Sequence, residues 1–255
     1  MMAMATLVPT ASASPDAIAC LLAAYPDFLK DAPNGNSIRS HQNELFEFDA
    51  ALPAGTHQWQ LSHADLKTQF SQPYPREPLT QAPALNSDPG RLRSAIFFER
   101  MYGQSLTQVQ KHLTTIDWAP CQCKIQFTHR NGAAKALERV GRELARRPEL
   151  LAYVNQPLGA LNWRNIQGTN RRSMHAYGAA IDFRMPQSLH HYWQWRGCKP
   201  GGPCAYPAAV FSDVRLQEVV KKFEEHGFIW GGKWYHFDTV HFEFRPELTG
   251  AACRQ

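Results

Sequence analysis

The chain has 255 residues, 44% of them apolar and 19% charged, so it can bury a core and is too apolar for bulk disorder. Its 27 Lys and Arg against 22 Asp and Glu give a net charge of +5, scattered with no run of five or six like charges, which does not indicate nucleic-acid binding. No stretch of about 18 apolar residues occurs, so no membrane-spanning helix is expected.

In chain order, residues 1–15 read as a leader or a disordered end. Ala11-Ser12-Ala13 fits a small-residue cleavage site, but no basic residue precedes it and the apolar run is short. Ile18, Leu21, Leu22 and Tyr25 predict a helix over 16–30 that stops at Pro26. Residues 31–90 are rich in Pro, Asn, Ser and Gln. Within them Phe46 and Phe48 alternate with acids as in a strand, and five prolines make 71–90 a wrapping linker. Helical spacing returns over 91–113. Ile125 and Phe127 predict a strand. Asn131 is the expected cap of a helix whose inner face is Ala134, Leu137, Val140, Gly141 and Leu144. Strands are expected at 180–184 and 240–245. Between them a helix over 212–226 turns Val214, Val219, Val220 and Phe223 inward and stops at Gly227.

Six cysteines, eleven histidines and seven tryptophans stand out. Cys198 and Cys204 bracket Lys-Pro-Gly-Gly-Pro, a turn that can join them, whereas zinc-ribbon spacings are missing. Cys121 and Cys123 look too close for an easy mutual bond, so each is expected to seek Cys20 or Cys253. An even count with a turn-spanning pair favours an oxidising compartment, with free buried thiols as the alternative.

Chemistry concentrates in two segments. One is Ser173-Met-His175-Ala-Tyr-Gly178-Ala-Ala-Ile-Asp182-Phe183. The other runs from Gly227 through Trp230, Gly231, Gly232, Trp234, Asp238 and His241 to Glu243 and Phe244. Strand alternation puts His241 and Glu243 on one face and Val240, Phe242 and Phe244 on the other. Asp182, between Ile181 and Phe183, is costly to bury without a partner. Two imidazoles converging with it on a cation would satisfy it, and His175 reaches that point if Gly178 allows a tight turn. Three protein ligands and an open position form a catalytic zinc shell. Asp238, three residues before His241, can act on the metal's water as general base and then acid. Arg164, and after it Arg171, are candidates to hold the oxyanion. Each residue also has a plainer role: Asp182 can pair with an Arg, Trp-Gly-Gly-Lys-Trp can be a packed turn, and His190, His191, His226 and His236 read as solvent-facing.

These residues resemble the zinc D-alanyl-D-alanine metallopeptidases, which include VanY-like D,D-carboxypeptidases, vancomycin-resistance dipeptidases and L-alanyl-D-glutamate endopeptidases. The family pattern SxHxxGxAxD, followed by a Trp-rich segment and (D/E)xxH, is matched by Ser173, His175, Gly178, Ala180, Asp182, Asp238 and His241. The likeness covers about residues 120–248, with weaker features before it in Asp88-Pro-Gly-Arg-Leu-Arg and Phe97-Phe-Glu-Arg-Met-Tyr-Gly. It implies that His175, Asp182 and His241 bind one zinc ion and that Asp238 is the base. It also implies that Ser173 lies near the substrate and that Arg164 polarises the scissile carbonyl or binds a carboxylate. Asp in place of Glu at 238 resembles the carboxypeptidase and endopeptidase branches more than the dipeptidases.

The expectation is therefore an α+β fold of the hedgehog and D-Ala-D-Ala peptidase kind, with a small antiparallel zinc-bearing sheet and flanking helices. Residues 16–118 would wrap a catalytic domain at 119–255. The expected reaction is hydrolysis in peptidoglycan stem peptides by a monomer, periplasmic or secreted, with no nucleic-acid partner. Trp230, Trp234 and Arg171 would contact substrate. D-alanyl-D-alanine carboxypeptidase action is favoured. L-alanyl-D-glutamate endopeptidase action and an inactive zinc-bearing binding module are the alternatives.

Overall fold

The computed structural model describes residues 16–250 and 253, so the leader expected over 1–15 lies outside the described residues. The first apolar stripe folds as α1 (Asp16–Ala24), burying Ala17, Cys20 and Leu21. A three-stranded antiparallel sheet follows: β1 (Leu29–Asn34), β2 (Ser37–Ser40) and β3 (Leu45–Glu47), in that order across the sheet. The sequence pattern announces only β3, where Phe46 faces Ile38 of β2. β1 reads Leu-Lys-Asp-Ala-Pro-Asn and pairs with two breaks in register, so it has no clean alternation to detect.

α2 (His57–His63) is capped by Thr56, whose hydroxyl accepts the Trp59 N–H at 3.3 Å. The proline-rich 71–90 segment has no helix or strand and straps the C-terminal half. The Tyr74 hydroxyl donates to Glu224 at 2.6 Å and Arg76 donates to the Thr249 carbonyl at 2.7 Å. The continuous helix expected over 91–113 is instead two, α3 (Ala95–Tyr102) and α4 (Leu106–Gln110), broken at Gly103 and restarted by the Ser105 cap.

The hairpin β4 (Leu113–Trp118) and β5 (Cys123–Thr128) precedes α5 (Ala133–Leu144). Asn131 does not cap α5. It sits at φ 51° and exchanges hydrogen bonds with Asp27 instead, at 3.1 and 2.7 Å, which ties α5 to the residues after α1. The remaining elements are β6 (Pro157–Gly159), β7 (Ala180–Phe183), α6 (Ala208–Ser212), α7 (Val214–Glu225), β8 (Phe228–Trp230), β9 (His241–Phe244) and α8 (Pro246–Thr249). α7 is capped by Asp213. Val214, expected inward, is 73% exposed, and Leu216, Val219, Val220 and Phe223 form the buried face.

β6, β7, β9 and β8 make a four-stranded antiparallel sheet in that order. One face packs on α5 and α7, where Phe223 stacks on Phe242 at 4.0 Å and meets Phe183 and Phe228 edge-on. A second apolar cluster joins the two halves of the chain: Tyr25, Phe28 and Phe46 surround Phe97, and the same cluster contains Met174, Tyr177, Ala179 and Ala180. Helices and small antiparallel sheets thus share their cores, an α+β arrangement.

Three disulfides are present: Cys20–Cys253, Cys121–Cys123 and Cys198–Cys204. The last is the expected pair. The distant partners expected for Cys121 and Cys123 are not used. Gln122 between them adopts φ 54° at the hairpin end and brings the two side chains together. Among the described residues no helix is long and apolar enough to cross a membrane.

Candidate metal centre

Strand register builds the site. Asp182 of β7 stands directly opposite His241 of β9, and Ala180 opposite Glu243, so the four share one face while Ile181 and Phe242 enter the core behind. His175 arrives on a single 3-10 turn, Met174–Tyr177. Ser173 caps that turn by accepting the His175 N–H at 3.3 Å, and Gly178 closes it at φ +62°. A side chain at 178 would be strained by that φ and would meet Leu113 at 2.6 Å, so only glycine closes the loop here.

The three inner donor atoms form a tight triangle. His175 Nε2 and His241 Nδ1 each lie 3.0 Å from Asp182 Oδ1 and 3.1 Å from each other. The outer ring nitrogens fix the tautomers. His175 Nδ1 faces the Ala160 carbonyl at 3.0 Å, which can only accept, and His241 Nε2 faces the Glu243 carboxylate at 3.0 Å. With both outer nitrogens protonated, the neutral rings turn two lone pairs toward a carboxylate oxygen. Such a triangle needs a positive charge at its centre. Burial pulls the His241 pKa down, but hydrogen bonds that its ring donates to Asp182 and Glu243 overcome this and raise it to about 10, so without a metal the site takes up a proton. Burial pushes Asp182 up, yet His175 and His241 hold it well below the usual carboxylate range. Donors around a tetrahedral zinc at 2.0–2.1 Å stand about 3.3 Å apart, close to this triangle. The residues fit a metal ion.

Behind His241 runs a buried charge chain. Glu243 takes the Arg245 guanidinium at 3.0 Å, Arg245 pairs with Glu247 at 2.6 Å, and Tyr25, just after α1, donates its hydroxyl to Glu247. Glu243 sits on His241's face, as strand alternation implies, but its partners lie too far away in sequence to be read from it.

Asp238 stays outside the triangle. Its N–H donates to the Gly231 carbonyl at 3.0 Å, an approach so close that a Cβ at Gly231 would meet the Asp238 carbonyl at 2.5 Å. Its Oδ1 is buried without a hydrogen-bond partner. Burial, and then the Asp182 charge, raise its pKa to about 6. A poised carboxylate beside a metal-binding triangle can move a proton to and from a water.

The triangle opens onto a cavity of about 430 Å³. Arg164 lines it from the exposed rim, Ser173 and Trp234 form part of its wall, and the Trp234 and His241 rings are 5.6 Å apart. Two of the expected substrate contacts do not reach the cavity. Trp230 is fully buried, stacked on Phe242, with its indole N–H on the Thr239 carbonyl at 2.8 Å. Arg171 turns back to the Arg91 carbonyl, and burial lowers its pKa to about 8.

Sequence reasoning missed the cavity wall supplied by residues 88–93. The Trp234 indole N–H donates to the Pro89 carbonyl at 2.7 Å, and Arg245 donates to the Gly90 carbonyl. These bonds bring Arg91 and Arg93 into the cavity. Arg91 lies 5.6 Å over the Trp234 ring, and buried Arg93 donates to the Arg172 carbonyl at 2.8 Å. The one available signal was the weak Asp88-Pro-Gly-Arg-Leu-Arg likeness. His190 and His236, read as solvent-facing, also line the cavity, and His236 is only 5% exposed. His226 is held by Glu143 at 2.8 Å.

Residues 167–244 match the D-alanyl-D-alanine carboxypeptidase family. The match begins just before Ser173 and ends with β9. It therefore contains the whole donor triangle and Asp238, and leaves out Arg91, Arg93 and Arg164. This peptidase-family segment is less than a third of the chain. No curated protein and no solved structure matches the chain.

Proposed function

We propose that the protein is a zinc-dependent D-alanyl-D-alanine carboxypeptidase acting on peptidoglycan stem peptides. One observation carries this: a tight triangle of three metal-ligating donor atoms beside a buried, partnerless Asp238 oxygen, within the segment that matches this peptidase family. His175, Asp182 and His241 would hold the single ion. A bound zinc supplies an acidified water and a Lewis acid for the scissile carbonyl.

The protein's own groups do the rest. The Asp238 carboxylate takes a proton from the attacking water and returns it to the leaving amine. A pKa of about 6 suits both transfers near neutral pH. Arg93, buried and already hydrogen-bonded, offers a fixed charge to the developing oxyanion without reorganising. Arg164, at the exposed rim, suits the terminal carboxylate of the substrate, and Trp234 walls the groove. The polarising role first given to Arg164 thus passes to Arg93. Ser173 acts through the turn that presents His175.

The alternative, L-alanyl-D-glutamate endopeptidase action, needs a groove open at both ends. Three arginines at one cavity favour a substrate that ends in a carboxylate. An inactive binding module has no use for the poised Asp238. Three disulfides agree with a periplasmic or secreted location. The test is digestion of purified peptidoglycan with and without a chelator, with products read by mass spectrometry. Chelator-sensitive release of D-alanine supports the proposal. A new D-glutamate amino terminus supports the endopeptidase, and no release from zinc-loaded protein refutes both.

A further inference from the structure

A second cluster, His57, Asp88 and His236, has the donor types of a metal site, yet its hydrogen bonding differs from that of the first. At the first triangle both outer ring nitrogens donate to acceptors, which leaves lone pairs inside. Here, among the described residues, neither outer nitrogen has an acceptor. The inner ones point at a single carboxylate oxygen. His57 Nε2 lies 2.8 Å and His236 Nδ1 2.6 Å from Asp88 Oδ2, lengths typical of N–H donors on a carboxylate. Asp88 is completely buried, and its Oδ1 also accepts the His236 backbone N–H at 2.9 Å. Burial pushes Asp88 up, but Arg91 and the two imidazoles hold it ionised, well below the usual carboxylate range.

Asp88 therefore grips His236 at both backbone and ring. The ring is walled by His57, stacked at 5.9 Å, and by Trp193 and Tyr235, edge-on at 4.7 and 5.1 Å. Of the two outer ring nitrogens, that of His236 is the fully buried one. His236 Nε2 is buried, has no partner and belongs to a residue on the wall of the catalytic cavity, two positions before Asp238. An unmade hydrogen bond on a buried atom is costly unless a ligand completes it.

We infer that His236 contacts the substrate, its Nε2 lone pair accepting a backbone amide N–H of the bound peptide, while Asp88 and His57 are positioning residues that hold that tautomer and bind no metal. The inference rests on the proposed peptidase activity. With Nδ1–H committed to Asp88, the neutral ring can only accept at Nε2. An amide N–H beside the scissile bond is the donor that a peptide offers there. The arrangement adds a specificity element on residues 57 and 88, outside the segment that matches the peptidase family.

The test combines spectroscopy, metal counting and kinetics on the full chain. Nitrogen-15 NMR of the wild-type imidazoles should show His236 as the Nδ1–H tautomer, and zinc titration should saturate at one ion per chain. Asp88→Asn can donate to Nδ1 and so moves the proton to Nε2, which turns the acceptor into a donor. Both Asp88→Asn and His236→Phe should raise KM for a stem-peptide substrate roughly tenfold, with zinc content unchanged. His236→Gln, which keeps an acceptor, should recover part of the loss. An Nε2–H or doubly protonated His236 in the wild type overturns the inference, even if Asp88→Asn does not fold. A second zinc ion lost with His57→Phe overturns it too. If the wild type releases product and KM is unchanged in both variants, the inference falls while the peptidase activity stands. A zinc-loaded wild type that releases nothing ends both.

Discussion

Glu243→Gln tests whether the charge chain behind His241 sets the strength of metal binding. Glu243 meets two donors with two oxygens: His241 Nε2–H at 3.0 Å and the Arg245 guanidinium at 3.0 Å. Glutamine has one oxygen, and its amide would place N–H groups against a donor. Either the His241 ring loses the bond that fixes its tautomer, or Arg245 keeps only Glu247 and the Gly90 carbonyl. Losing an outer partner of a metal-bound histidine typically costs 10–100-fold in affinity, which at ~1.4 kcal/mol per decade is ~1.4–2.8 kcal/mol. An unsatisfied buried donor costs the metal-free fold a further ~1–3 kcal/mol. Competition titration against a chromophoric chelator reads the first quantity, and calorimetry of the metal-free protein reads the second. Zinc affinity within twofold of wild type, with an unchanged Tm, would show that Glu243 neither orients His241 nor stabilises the network.

Asp238→Ala should keep its zinc and lose roughly 10²–10⁴-fold in kcat, measured on a stem-peptide substrate beside metal content. Because Asp238 must be ionised to accept a proton, kcat/KM should show an acid limb that vanishes in the variant; burial and the Asp182 charge raise the metal-free carboxyl to about 6, and the charge of a bound cation draws the limb below that value. The same shift has a stability sign. The folded pKa lies above the ordinary 3.8, so folding loses stability as pH rises from 3.8 through about 6, by ~3 kcal/mol for two units. Asp238→Asn should therefore stabilise the metal-free protein at pH 8 and not at pH 3.5, as read from urea midpoints. Gly178→Ala, at φ +62° and 2.6 Å from Leu113, should cost at least ~1–2 kcal/mol and weaken zinc binding through His175. Replacing Cys20 and Cys253 by Ser should lower stability by ~2–5 kcal/mol, seen as a lower Tm under non-reducing conditions.

What could be read from the sequence follows the range of the interactions involved. The facing of Asp182 and His241 is a matter of strand period, and Gly178 marks the turn that brings His175 in, so local pattern reaches the triangle. Arg91 and Arg93 come to the cavity through bonds between residues 89–90 and 234–245, and no local periodicity encodes a contact across that span. His236 looked solvent-facing because its neighbours are polar and aromatic. What buries it is Asp88, from the far half of the chain. Trp230 and Trp234 are alike in sequence, and they part only in three dimensions, one stacked behind the sheet on Phe242 and the other on the cavity wall. The Cys121–Cys123 bond and the loss of the Asn131 cap both turn on single residues in left-handed conformations, Gln122 and Asn131, which side-chain patterns do not reveal.

The chain that runs from His241 through Glu243, Arg245 and Glu247 to Tyr25 also sets an order of events during synthesis. Tyr25 leaves the ribosome more than two hundred residues before Glu247, and the Cys20–Cys253 bond spans 233 positions. The support of His241 is therefore incomplete until α8 is made and Tyr25, just after α1, has docked against it. Full-strength metal binding at this site would then wait until two distant parts of the polypeptide, around Tyr25 and around Glu247, have met.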